Sequence, residues 1–112
     1  MDVQVIKRDQ LPSDEISHDL IGADHGGAGV SIIFVDAPLG GGPQLHNHPY
    51  EEIFIILEGE AKFVAGDRQL TAGAGEVVIV PPEMPHSFTS SGPGRLRQID
   101  IHVNSTFITD WL

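Results

Sequence analysis

The amino-acid sequence predicts an all-β domain whose short strands pack as a sandwich or barrel. The 112-residue chain holds 13 glycines and 8 prolines, and these turn-forming residues separate short runs of β-branched and aromatic residues. Roughly eight to ten such runs follow one another at regular spacing, which is typical of an all-β sandwich or barrel. The length suits one domain with a single modest core. We divide the chain into an N-terminal arm (1–29), a barrel (30–103) and a C-terminal tail (104–112).

The composition excludes several classes of partner and cofactor. The formal net charge is −10 with only six basic residues, so the chain repels phosphate backbones and no nucleic-acid partner is expected. The absence of cysteine excludes disulfides and iron–sulfur clusters, and it restricts a metal site to nitrogen and oxygen ligands. Without a secretory apolar segment or a run of about 18 apolar residues, we expect a soluble cytoplasmic protein with no membrane partner.

The arm is expected to lie outside the barrel. Residues 3–6 (VQVI) are compatible with a short edge strand, and the sequence Ser-Asp-Glu at 13–15 after a proline is typical of a helix start. The following residues are too few for more than one helical turn. His18 and His25 are expected to be solvent-exposed loop histidines, with a role as a lid over the site as the alternative.

The first strands of the barrel are predicted at residues 31–36 (SIIFVD) and 52–58 (EIFIILE). Alternate residues of a strand point to opposite faces, and both faces of the second run are apolar. One face, which begins at Glu52, is expected to line the barrel interior. The other face, with Ile53, Ile55 and Leu57, is expected to meet a second sheet or a second subunit.

The remaining strands are predicted between turn signals. Residues 62–65 and 68–71 flank a Gly-Asp pair that fits a hairpin turn, and residues 76–80 (EVVIV) end at a pair of prolines. Residues 95–103 (RLRQIDIHV) form the last long strand, whose polar face is compatible either with the barrel interior or with solvent. The tail carries the single tryptophan of the chain, which we expect to act as an apolar plug.

Histidine and glutamate side chains follow a glycine-rich connection near the middle of the chain. His46 and His48 share one face if this stretch is extended. Of the adjacent Glu51 and Glu52, only one can share that face. His86 follows a second strand and a proline-containing turn. Neutral imidazoles together with a carboxylate suit a divalent first-row transition metal.

These residues form a pattern that resembles the cupin superfamily. The first motif is the series Gly40, five residues, His46-x-His48, three residues, Glu52, six residues and Gly59. The second motif is Gly75, five residues, Pro81 and then His86. Two positions depart from the family pattern: Glu83 stands where the family often has glycine, and Ser90 where it often has asparagine.

The resemblance implies a cupin-type double-stranded β-helix, a jelly-roll barrel with a short N-terminal arm. It selects Glu52 over Glu51, and it implies one divalent transition metal ion per chain (Fe, Mn, Zn, Ni or Co) held by His46, His48, Glu52 and His86. Structural zinc sites are usually closed by four ligands that often include cysteine. Mixed histidine and glutamate ligands therefore favour a site that keeps an exchangeable position.

The resemblance is specific for fold and metal and leaves the reaction open. The first hypothesis is a dioxygenase-like oxidoreductase that acts on a small apolar or aromatic substrate chelating the metal through oxygen. Isomerase, decarboxylase or cyclase chemistry is possible on the same ligands. The second hypothesis is a non-catalytic module that binds a metal and a small molecule, because the fold does not determine the function.

Further side chains are candidates for a substrate pocket and for a partner surface. The candidate apolar walls, which are also compatible with simple core positions, are Phe34, Phe54, Ile56, Phe63 and Phe88. The polar candidates for catalysis are Tyr50, Gln44, Gln98 and His102. The motifs contribute no lysine or arginine, so we expect a neutral or weakly anionic ligand. The apolar outer face of residues 53–57, together with the resemblance, predicts a homodimer.

Overall fold

The computed structural model describes residues 2–112, and within that range it contains ten strands and two short 3-10 turns. The turns are Arg8–Gln10 and Gly22–Asp24. The strands are β1 (Ser17–Leu20), β2 (Ser31–Ala37), β3 (His46–Asn47), β4 (Glu52–Glu58), β5 (Glu60–Ala65), β6 (Arg68–Gly73), β7 (Val77–Val80), β8 (His86–Ser90), β9 (Leu96–His102) and β10 (Asp110–Trp111).

The strands form two five-stranded antiparallel sheets that pack face to face. The first sheet has the order β1-β2-β9-β4-β7, and the second has the order β10-β3-β8-β5-β6. The predicted all-β jelly roll is therefore confirmed, although the two sheets do not close into a continuous barrel. No helix among residues 2–112 is long and apolar enough to cross a membrane.

The core lies between the two sheets, because each central strand buries alternate residues. In β9, for example, every second residue from Leu96 to His102 is buried. The buried apolar cluster consists of Val35, Ala37, Phe54, Ile56, Ala61, Phe63, Ala72, Val80, Phe88 and Leu96. Along β9 the buried face changes from apolar Leu96 to polar His102. The polar end holds the candidate site.

The N-terminal arm contributes a strand that the sequence pattern does not predict. Residues 17–20 pair along the free edge of β2, with Ser17 opposite Val35. The helix start predicted at residues 13–15 is wrong: Asp14 Oδ1 instead accepts hydrogen bonds from the backbone amides of Ile16 and Ser17, at 2.8 Å each. Aspartate caps such turns as readily as it caps helices. Residues 3–6 lie in the described range but form no strand.

Strand register brings the motif residues together from distant parts of the chain. His46 on β3 lies opposite His86 on β8, both in the second sheet. Glu52 on β4 lies opposite His102 on β9, both in the first sheet. The site is therefore built across the gap between the sheets, with two side chains from each of these strand pairs.

The C-terminal tail crosses the same end of the sandwich. Its strand β10 pairs with β3, so that Trp111 lies opposite His46. Trp111 is 65% exposed, so the predicted apolar plug is wrong. The indole ring instead lies beside His46, with ring centroids 5.0 Å apart.

Candidate metal centre

The side chains of His46, His48, Glu52 and His86 converge between the two sheets. One possible ligand atom from each residue lies within 4.8 Å of all the others, and all four side chains are buried. The sequence pattern thus identifies a group that the fold does bring together.

Backbone carbonyls orient all three imidazoles in the same sense. The Nδ1 atoms of His46, His48 and His86 lie 2.6, 2.8 and 2.9 Å from the carbonyl oxygens of three other residues. Those carbonyls belong to Gln44, Ile108 and Met84, respectively. Because a carbonyl oxygen can only accept, each Nδ1 carries a proton, and in the neutral imidazole each Nε2 then presents its lone pair to the site.

These lone pairs face a carboxylate oxygen, an arrangement that needs a cation between them. The Nε2 atoms of His48 and His86 lie 3.0 and 3.1 Å from Glu52 Oε1. The contact with His48 does not have hydrogen-bond geometry, and within the described chain His48 Nε2 is buried without a hydrogen-bond partner. Lone pairs at such distances repel each other unless a proton or metal ion is shared. The donor set therefore fits a single divalent metal ion.

Electrostatics act differently on the members of this ligand set. Burial alone would raise the pKa of Glu52, but its contacts with His102, His48 and His86 hold the pKa of this carboxyl far below its usual range. Burial lowers the pKa of His46, which favours the neutral imidazole that metal binding requires. In His48, burial is outweighed by the Glu52 carboxylate and the Ile108 carbonyl, which raise the pKa of the imidazole.

The second oxygen of Glu52 has a different environment from the first. Glu52 Oε2 lies 3.2 Å from Nε2 of His102, which is buried on β9. Nδ1 of the same imidazole lies 2.7 Å from the hydroxyl of Tyr50. Two polar residues selected from the sequence, His102 and Tyr50, thus lie behind the carboxylate.

The two glutamine candidates lie elsewhere. The Gln44 side chain is exposed, and only its carbonyl oxygen, which accepts the hydrogen bond from His46, contributes to the site. Gln98 is buried and donates a hydrogen bond from Nε2 to Asp100 Oδ1 at 2.8 Å. The polar face of β9 is therefore the inward face.

Asp100 is a buried carboxyl that the sequence pattern does not single out. Burial, followed by the negative charge of Glu52, raises the pKa of Asp100 well above its ordinary value, although the hydrogen bond from Gln98 acts in the opposite direction. The neutral acid is therefore the favoured form. The alternation of Gln98, Asp100 and His102 on one strand face is the signal in the sequence, but it is equally typical of a solvated face.

A cavity of about 200 Å³ is lined by three of the four converging residues, His46, His48 and Glu52. Its apolar wall includes Ile33, Val35, Phe88, Phe107 and Trp111, and its acidic groups include Asp14, Asp19 and Asp100. None of the residues that line it within 2–112 is a lysine or arginine. The cavity is therefore small, largely apolar and negatively charged.

The predicted pocket walls are distributed over three parts of the molecule. Phe88 lines the cavity. Phe54, Ile56 and Phe63 are fully buried in the apolar core. Phe34 points to the opposite face of its sheet, where it lines a surface groove with Arg8 and His18.

The arm and the tail supply cavity residues that the sequence pattern misses. Ile16, Ser17 and Asp19 come from the β1 region, and Phe107 and Trp111 come from the tail. Strand β1 holds no β-branched or aromatic residue and contains an aspartate, which is depleted in strands, so the sequence pattern does not reveal it. His18 and His25 are half-buried and do not line the cavity, so the structure gives no support for a lid role.

Fold and site together define a small two-sheet jelly roll with a three-histidine, one-glutamate metal centre. In agreement, residues 33–102 match the family described as the cupin domain. The chain therefore belongs to the cupin-domain family. No curated protein matches the chain in a sequence comparison.

Among solved structures, the fold is similar to that of oxalate decarboxylases. A Bacillus subtilis oxalate decarboxylase with Mn(II) centres superimposes with a TM-score of 0.82 at 21% identity, over 93% of this chain and 30% of the other. A Lactobacillus farciminis oxalate decarboxylase in complex with formate gives a TM-score of 0.78 at 23% identity, over 90% and 32% of the two chains. This chain thus spans about a third of the length of those structures. At this identity the similarity establishes the fold.

Proposed function

We propose that this protein is a metal-dependent, dioxygenase-like enzyme that acts on a small organic substrate chelating the metal through oxygen. The observation that carries the proposal is the contact between the His/Glu cluster and a small, largely apolar cavity. His46, His48, Glu52 and His86 would hold the ion. When bound, the metal would supply Lewis-acid and redox chemistry at the cavity.

The cavity favours a compact substrate with an apolar skeleton. Its volume of about 200 Å³ suits a ligand with one small ring or a short carbon chain. Ile33, Val35 and Phe88 would exclude water from one side of the ligand and contact its carbon atoms. Full burial of one such apolar group contributes roughly 1.5–3 kcal/mol.

The charges of the cavity disfavour a strongly anionic substrate. Asp19 and Glu52 line it, and none of the described lining residues carries a lysine or arginine charge to pair with a second carboxylate or a phosphate. A neutral or weakly anionic oxygen donor, such as an enol, a diketone or a catechol, avoids this repulsion. Asp100 in its neutral form would donate a hydrogen bond to a ligand oxygen.

Decarboxylation is the second candidate reaction, and the fold similarity to oxalate decarboxylases favours it. No lysine or arginine is among the described residues that line the cavity, and this argues against the oxalate dianion as substrate. A monocarboxylic acid that binds through one carboxylate and one further oxygen fits the charges better.

The experiment that separates these reactions follows gas consumption and release. Protein loaded with Fe(II) is supplied with catechols, diketones and enols in an oxygen electrode, and with oxalate and 2-oxo acids under anaerobic conditions. We expect oxygen uptake with a member of the first panel. Carbon dioxide release without oxygen would favour the decarboxylase, and calorimetric binding without turnover would favour a non-catalytic binding module.

Two variants make this experiment specific to the proposed centre. His48→Ala removes a proposed ligand, and we expect it to abolish turnover. His25→Ala removes an imidazole that does not line the cavity, and we expect it to retain turnover. Tighter binding of sugar phosphates than of catechols or enols would show that the proposed substrate class is wrong.

A further inference from the structure

The carboxylate of Glu52 is held by two different sets of groups. Oε1 faces Nε2 of His48 and of His86, at 3.0 and 3.1 Å, inside the metal centre. Oε2 lies 3.2 Å from Nε2 of His102. The two oxygens of a single carboxylate therefore have separate partners.

A chain of hydrogen bonds fixes which nitrogen of His102 carries the proton. The backbone amide of Ile108 donates to the Tyr50 hydroxyl oxygen at 3.1 Å. The Tyr50 O–H is therefore free to donate to Nδ1 of His102, at 2.7 Å. Since Nδ1 then accepts, the neutral imidazole has its proton on Nε2, which faces Glu52 Oε2.

We propose that Tyr50 and His102 are positioning residues that hold Glu52 as a one-oxygen metal ligand. In this arrangement the Nε2–H of His102 faces Oε2 at 3.2 Å, and its attraction for that oxygen would fix the rotation of the carboxylate, which leaves Oε1 for the ion. A carboxylate bound through one oxygen occupies one coordination position instead of two. The proposal depends on the metal centre and not on the type of reaction.

The same tail residue holds two parts of this arrangement. The Ile108 amide donates to Tyr50, and the Ile108 carbonyl oxygen accepts from Nδ1 of His48 at 2.8 Å. Ile108 thus orients the proposed ligand His48 directly. It acts on Glu52 indirectly, through the side chains of Tyr50 and His102. The Tyr50 ring also stacks on His48, with centroids 5.1 Å apart and planes inclined by 11°.

The packing of His102 agrees with a positioning role. The ring is buried and forms a T-shaped pair with Phe107, with centroids 4.8 Å apart. It sits opposite Glu52 in the strand register, so that the backbone as well as the side chain holds it behind the carboxylate. A fifth metal ligand would need a free lone pair at Nε2, and the hydrogen bond from Tyr50 to Nδ1 opposes that tautomer.

The test measures Co²⁺ affinity and the visible absorption of the Co²⁺-loaded full-length protein. His102→Leu removes both contacts of the imidazole. Loss of a hydrogen-bonding partner behind a metal ligand typically weakens metal affinity by roughly 10- to 100-fold, and we expect a loss in that range. We also expect a changed Co²⁺ spectrum, because the freed carboxylate can bind through both oxygens. Tyr50→Phe should shift both readouts in the same direction by a smaller amount.

The conservative variant His102→Gln is the matched rescue. Its amide can donate to Glu52 and accept from Tyr50, so we expect it to recover most of the affinity lost in His102→Leu. His25→Gln serves as the control and should bind Co²⁺ as the wild type does. Circular dichroism identifies a variant that fails to fold, and in that case Tyr50→Phe, which loses one hydroxyl, decides the question.

Three outcomes would overturn the proposal. The first is wild-type affinity and an unchanged spectrum in His102→Leu. The second is a His102→Gln variant that binds as weakly as His102→Leu. The third is wild-type affinity in Tyr50→Phe, which would show that the proton order does not matter and would fit His102 as a ligand. Because no substrate is used, these outcomes are independent of the enzymatic activity proposed above.

Discussion

Asp100 is a carboxyl group enclosed between the sheets, and its protonation should influence stability. Burial, reinforced by the charge of Glu52, raises the pKa of this carboxyl in the folded chain, whereas in the unfolded chain it ionises near pH 4. The contribution of protonated Asp100 to the free energy of unfolding is therefore complete below the pKa of the unfolded chain. It is lost as the pH rises through the pKa of the folded chain. Each unit of pKa difference corresponds to about 1.4 kcal/mol.

We therefore expect Asp100→Asn to be more stable than wild type at neutral pH, by on the order of 1–3 kcal/mol in the metal-free protein. The amide keeps an acceptor for Gln98 and cannot ionise. The difference should shrink near the unfolded pKa of about 4. Urea unfolding at neutral pH and near pH ~4 measures the stability difference. Asp24→Asn is the control, because Asp24 is exposed. A variant that is less stable than wild type at neutral pH would contradict the expectation.

His48 is the proposed ligand whose loss is simplest to interpret. We expect His48→Ala to purify without bound metal and to lose the thermal stabilisation that added metal gives to wild type, since binding to the native state alone stabilises it by mass action. Elemental analysis and thermal unfolding, with and without metal, measure the two effects. His25→Ala is the control. Equal metal content in His48→Ala and wild type would refute this ligand assignment.

At the residue scale, the sequence is most informative where spacing and chemistry agree. The motif spacing selects four side chains that the fold does bring together. The spacing says nothing of Ile108, whose contribution is made by its backbone and depends on where the tail passes. Asp100 belongs to an alternating polar face of the last long strand, and such a face fits solvent or interior equally until the neighbouring strands are known.

Among the connections, the turn between β4 and β5 has a strict steric requirement. Gly59 has φ 77°, and a Cβ atom at this position would collide with the carbonyl oxygen of Arg95, the residue before β9. We expect Gly59→Ala to lower the free energy of unfolding by roughly 1–3 kcal/mol, because both the left-handed conformation and the close approach oppose a side chain.

Urea unfolding measures this effect against a matched glycine. Gly29→Ala is the control, because a Cβ atom there meets nothing within 4 Å and the backbone is not in the left-handed region. Equal stability of Gly59→Ala and Gly29→Ala would show that the turn can relax and that the motif glycine is not required sterically.

At the element scale, apolar strands are predictable and polar ones are not. The runs at 31–36 and 52–58 closely match β2 and β4, because β-branched residues alternate there on a pleated surface. Strand β1 consists of Ser-His-Asp-Leu and exists because β2 offers it a free edge. Strand β10 likewise depends on pairing with β3. Such pairings follow from tertiary structure and leave little trace in local composition.

The outer face of the first sheet bears on the assembly of the whole molecule. Leu57, Val77 and Ile79 on β4 and β7 are 47%, 57% and 63% exposed, and Ile53 and Ile55 lie beside them. Contiguous apolar surface on an edge strand is a typical interaction site and otherwise promotes aggregation. We expect this face to be covered in a homodimer, as the apolar outer face predicts.

Sedimentation analysis at micromolar concentration tests the dimer. Wild type should have twice the mass of one chain, and Ile79→Lys should have the mass of one chain because a buried ammonium is costly at an apolar interface. Leu39→Lys is the control, since Leu39 is 68% exposed in a loop outside this face. A wild-type mass of one chain would refute the homodimer.

The separation of apolar packing and polar groups along the strands has a consequence for hydrogen exchange. At the Leu96 end, the sheets are joined by apolar side chains, whereas at the His102 end they meet through imidazoles and carboxyls. Because the chain has no cysteine, no disulfide can join the two sheets at that end. A metal ion bound by residues from 46 to 86 would close a loop of the chain much as a disulfide does. When the ion dissociates, the backbone amides of β3 and β10 should exchange with solvent by local opening. The amides of β5 and of the Leu96 end of β9 should still exchange only by global unfolding.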